Sequence, residues 1–109
     1  MEWTTGVGDD IEEFEILAQT AELRMVLLTL ARDQEVPWHA HSAVTDTFFC
    51  VEGPMVIETR DPAEQHVLEA GGMCTVPAGR PHRVSGRDGG HCKFGVLQGV
   101  GPYDFQPLD

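Results

Sequence analysis

Of the five histidines in this chain, His39 and His41 form a His-x-His pair. Successive side chains of an extended strand point to opposite faces, so a spacing of two aims both imidazoles the same way. Such a pair is already a bidentate clamp for a metal. Asp46 follows after four intervening residues, where a hairpin could return its carboxylate to the same space, and His82 brings a third imidazole from more than forty residues further on. Imidazole nitrogens with one carboxylate make a mixed donor set suited to one divalent transition metal ion, whether iron, manganese, nickel, copper or zinc. Calcium and magnesium, which favour oxygen ligands, are poorly served by it.

Three protein nitrogens on one side of an ion leave positions open for water or a substrate, which marks a working site rather than a closed structural one. The ion could then polarise a bound carbonyl or hydroxyl, lower the pKa of a bound water, or activate dioxygen if it is redox-active.

Strands must hold these residues, and the chain reads as strands throughout. From Phe14 onward, short runs rich in valine, leucine, threonine and phenylalanine are closed by proline, glycine or aspartate. The pattern predicts strands over about 14–19, 22–31, 36–41, 46–52, 54–60, 65–69, 73–77, 81–85, 91–98 and 102–105, with no convincing helix. Ten short strands favour a closed or double-sheet antiparallel barrel, which shields exposed edges. Residues 1–13, with glycines and an acidic run, read as an arm, and 14–109 as a single domain. Gly53, Gly71 and Gly79 read as turn positions needing positive φ.

Composition narrows the partners. Eighteen acids against seven bases leave a net charge of −11, which repels nucleic acid and anionic membrane surfaces. No apolar stretch approaches the ~20 residues that span a bilayer, and the MEWTTGVGDD start has no secretory character, so the expected location is cytoplasmic. Cys50, Cys74 and Cys92 are odd in number and contain no Cys-x-x-Cys pair, so they read as free buried thiols.

The spacing of these residues resembles that of a small single-domain bacterial-type cupin. The family's first motif runs glycine, five residues, His-x-His, three or four residues, glutamate, six residues, glycine. His39, His41, Asp46 and Gly53 reproduce it from the first histidine onward, while Asp33 stands in place of the leading glycine. The second motif is matched by Gly71, by Pro77-Ala78-Gly79 and by His82, with Gly86 where asparagine is expected. The resemblance implies an all-β fold, a double-stranded antiparallel β-helix or jelly-roll β-barrel, with a metal held inside near one mouth. It implies His39, His41 and His82 as ligands and places Asp46 at the glutamate ligand position.

Aspartate is one methylene shorter than glutamate, roughly 1.5 Å of reach. Asp46 therefore ligates only if its strand lies further in. Otherwise it would accept a hydrogen bond from a metal-bound water or a ligand histidine, or act as the catalytic general base. Phe48 and Cys50 share its parity and should face the interior, as Val84 does with His82; Met25, Leu27 and Phe94 complete the expected substrate pocket.

Arg80 and Arg83 bracket His82, and one of them could meet an anionic substrate at the barrel mouth, although a solvated surface position is the plainer expectation. His66 and His91 have no ligand spacing. The second strand, apolar on both faces, and the resemblance together point to a homodimer, with Tyr103 and Phe105 suited to covering a sheet or a subunit seam. The expected function is a mononuclear metal-dependent enzyme on a small polar molecule, such as a keto acid, sugar derivative or catechol-like compound. Oxygenation, isomerisation and lyase chemistry all remain open, and a non-catalytic sensor or ligand-binding barrel is the competing reading.

Overall fold

Alternating burial along each strand organises the molecule: Arg24, Val26 and Leu28 are buried on one side of their strand, while Met25 and Leu27 on the other are half-buried. The computed structural model describes residues 11–109. Its strands are β1 (Glu13–Gln19), β2 (Leu23–Leu30), β3 (Glu35–Ala40), β4 (Thr45–Glu52), β5 (Met55–Thr59), β6 (Glu64–Leu68), β7 (Met73–Val76), β8 (His82–Gly86), β9 (Cys92–Gly99) and β10 (Gln106–Pro107). Among the described residues there is no α-helix, only a 3₁₀ turn over Arg87–Gly89. None is long and apolar enough to cross a membrane.

The strands form two five-stranded sheets, ordered β1-β2-β9-β4-β7 and β10-β3-β8-β5-β6, in which every neighbouring pair is antiparallel. This is a jelly roll. Chain neighbours such as β2 and β3 lie in different sheets, so the inner faces close over one core built on Leu28, Leu30, Phe48, Ile57, Val84 and Phe94.

Nine of the ten strands fall close to their expected ranges. The last does not: residues 102–105 run as an irregular strap, and β10 is confined to Gln106–Pro107 against β3. Of the arm expected over 1–13, residues 1–10 lie outside the described residues, whereas Ile11 is buried in the core and Glu13 already opens β1. Gly71 and Gly79 do take positive φ, at 92° and 81°. Gly53 does not, and a Cβ there would sit 2.8 Å from the Leu68 carbonyl oxygen and 2.9 Å from Cys50 Sγ. Lack of room, rather than backbone conformation, demands glycine at that turn.

Candidate metal centre

His39 reaches the interior through an irregularity in β3. Its pairing with β8 slips between Val36↔Val84 and His39↔His82, so residues three apart both face inward. Pro37 lies inside this slip, where a residue without an N–H costs the ladder least. Its carbonyl oxygen accepts a hydrogen bond of 2.7 Å from His39 Nδ1. His82 repeats the arrangement, donating from Nδ1 to the Arg80 carbonyl at 2.9 Å. His41 Nδ1 donates to the Asp104 carbonyl at 2.5 Å, across 63 residues of chain.

All three rings thus spend Nδ1 on main-chain oxygens and turn Nε2 inward, the outer hydrogen bond that orients metal-binding imidazoles. Asp46 comes from β4, flanked by β9 and β7, and its Oδ2 lies 3.0 Å from His41 Nε2 and 3.1 Å from His82 Nε2. The missing methylene does not keep this oxygen out of the cluster. One ligand atom from each of His39, His41, Asp46 and His82 lies within 4.8 Å of the others, and all four residues are buried.

These residues fit a transition metal ion. Ligands about 2.1 Å from a common ion stand roughly 3–4 Å apart, so the cluster needs to contract by little. The electrostatics agree. Burial alone would raise the Asp46 pKa, but the two imidazoles outweigh it and hold the carboxyl well below the ordinary range. His41 goes the other way: burial opposes its charge, yet Asp46 and the Asp104 carbonyl leave its pKa raised. Burial and the neighbouring His82 push His39 down to about 3. A single carboxylate holding imidazoles around it is a place where a proton and a metal ion compete.

The cluster opens onto a small cavity of about 30 Å³, room for about two waters. His39, His41 and Asp46 share its wall with Phe48, Val84 and Phe94 and with Val26, Leu28, Val36 and Val96. Tyr103 and Phe105 cover it; Phe105 stacks on His39 with ring centroids 4.4 Å apart, and Tyr103 lies 5.3 Å from His41.

Two pocket expectations are corrected. Met25 and Leu27 lie on the outer face of their sheet, because β2 turns Arg24, Val26 and Leu28 inward. Cys50 is buried in the core but lies outside the cavity wall, near Gly53, and burial raises its thiol pKa. The arginines beside His82 are engaged elsewhere: Arg83 pairs with Glu58, and Arg80 donates to Glu64 at 2.9 Å. His66 contacts Glu64 at 3.2 Å and His91 faces Glu52 at 3.8 Å, both away from the cluster.

The sequence reading missed two polar residues. Gln98 Nε2 donates to Asp46 Oδ1 at 3.1 Å, and Arg24 Nε donates to Gln98 Oε1 at 2.5 Å. Gln98 shares strand parity with Phe94 and Val96, a signal available from the sequence. Arg24 shares parity with Val26 and Leu28, but its charge argues for the opposite face.

The family model described as "Cupin domain" matches residues 26–97. The chain belongs to the cupin family. Similar solved structures include a cupin-2 domain protein from Shewanella frigidimarina, 24% identical, with a TM-score of 0.67, covering 82% of this chain and 81% of that one. A double-stranded β-helix protein from Klebsiella pneumoniae is 16% identical with a TM-score of 0.75, covering 100% and 99%. KdgF from Halomonas sp. is 18% identical with a TM-score of 0.70, covering 91% and 86%. At these identities the likeness shows the cupin fold alone. A search of curated proteins finds no match to this cupin.

Proposed function

We propose that this cupin is a mononuclear metal-dependent enzyme acting on a small polar organic molecule. The observation that carries the reading is the convergence of three Nε2 atoms, each oriented by a main-chain carbonyl, with Asp46 in a buried cluster beside a cavity. His39, His41 and His82 would hold the ion and Asp46 would complete the set through Oδ2. A bound divalent ion supplies Lewis acidity, and redox chemistry if its identity permits. Gln98 fixes which oxygen of Asp46 faces the imidazoles. The apolar wall, with Tyr103 and Phe105 over it, limits water at the site and strengthens every charge interaction there. Oxalate oxidase, seen with glycolate in a structure 15% identical over 87% of this chain and 54% of that one, is an enzyme on the same fold. A second copy of the chain covering the outer face of the β1-containing sheet would make the working form a homodimer.

Elemental analysis of the purified protein beside His82→Ala tests the site. The expected result is about one transition metal ion per chain, reduced at least tenfold in the variant, in line with the loss of a ligand. Equal metal content would overturn it. Cobalt-substituted protein should change its absorption spectrum when a chelating hydroxamate is added; a spectrum indifferent to chelators would favour the closed, non-catalytic barrel.

A further inference from the structure

Arg24, Gln98 and Asp46 occupy one row across three adjacent strands. In the pairing of β2 with β9 Arg24 faces Gln98, and in the pairing of β9 with β4 Gln98 faces Asp46. Neighbouring strands are about 4.8 Å apart, so the guanidinium is anchored about two strand spacings from the carboxylate of the metal cluster, with one amide between them. Arg24 is only 2% exposed, yet it lines the same cavity as His39, His41 and Asp46.

Its side chain is held in position twice. Nε donates to Gln98 Oε1, and Cζ lies 3.6 Å from the centre of the Tyr103 ring, a stacking distance that fixes the guanidinium plane. Arginine carries five donors in that plane and keeps its charge when buried. Within the cavity wall it is the one Lys or Arg side chain, and the remaining lining is histidine, one carboxylate, one amide and apolar or aromatic groups.

We infer that Arg24 is a specificity-determining residue that selects small carboxylate anions for this cavity, a proposal that rests on the metal-centre reading above. With a divalent ion held beside Asp46, the cavity carries a net positive charge at both ends. A cationic ligand is repelled by both. A neutral one leaves the guanidinium facing it without charge compensation, in surroundings where that is costly. A carboxylate bearing a second oxygen donor satisfies both ends: one group meets the ion, and a carboxylate oxygen accepts from the planar fork of Arg24. The cavity of about 30 Å³ limits the class to ligands of few atoms.

The test uses the full chain loaded with cobalt(II), titrated calorimetrically with lactate and with lactamide, its neutral analogue of similar shape. The expected result is at least a tenfold preference for lactate, the scale of a hydrogen bond to a charged group. Arg24→Gln should abolish the preference while retaining cobalt, and Arg24→Lys should keep part of it. No preference in the unsubstituted protein overturns the inference, and this arm stands even if a variant fails to fold. A preference that survives in Arg24→Gln also overturns it, and reduced cobalt content there would identify Arg24 as support for Gln98 and Asp46 alone. If the unsubstituted protein holds no cobalt, the metal-centre reading fails separately. Arg24-dependent protection of the metal-free protein by lactate against thermal unfolding then upholds the carboxylate site, and its absence overturns that too.

Discussion

At the scale of single residues, the cluster binds protons and metal through the same atoms, which gives its pH behaviour a definite sign. His39 ionises near its ordinary 6.5 when unfolded but only at about 3 when folded. Across that window the unfolded state binds more protons, so stability falls as pH is lowered. The depressed carboxyl of Asp46 acts in the same direction, its contribution being lost as acidification reaches its folded pKa. His41 opposes them, since its raised pKa contributes stability that disappears as pH rises through it. The melting temperature of chelator-stripped protein, followed by circular dichroism, should therefore drop from about pH 6.5 towards 3. His39→Gln should flatten that drop, and an unchanged slope would contradict the assignment. The ligand residues were legible in the sequence because type and spacing marked them together. Arg24 was not, because a lone arginine within an apolar strand shows its direction only once the pairing with β9 is known.

At the scale of the element, the 3₁₀ turn after β8 accounts for a departure from the family pattern. Gly86 stands where the second motif has asparagine, and a Cβ there would lie 1.7 Å from the Gly90 carbonyl oxygen. The backbone folds back on itself too closely for any side chain. Gly86→Ala should destabilise the protein by about 2 kcal/mol or more, lowering the melting temperature by roughly 10 °C for a domain of this size. A shift within a degree or two would show that the turn relaxes easily. Strand positions were readable from alternation and turn residues, and the inward parity of Asp46, Phe48 and Cys50 followed directly. The face of β2 was not readable, since Leu23, Met25 and Leu27 are as apolar as Val26, Leu28 and Leu30. The slip at Pro37, which brings Val36 and His39 to one side, breaks the period on which such reading depends.

At the scale of the whole molecule, the outer face of the β1-containing sheet exposes Leu23, Val51 and Met73 around the half-buried Met25 and Leu27. If a second copy covers this face, light scattering should give the mass of two chains. Met73→Glu, at a position 61% exposed and so tolerant within one chain, should shift the population towards monomer. A monomer before substitution would remove the dimer from the proposal. Fold class was legible at this scale from ten short strands and their turns, whereas the strap over the cavity was not, because Tyr103 and Phe105 read equally well as a strand. That strap carries a consequence for the order of events during synthesis. The carbonyl that orients His41 belongs to Asp104, 63 positions later in the chain. A nascent polypeptide presents His39 and His41 to the surrounding ions well before that oxygen exists, so any early capture is by a loose, unselective pair. Discrimination among competing metals has to await the folded barrel.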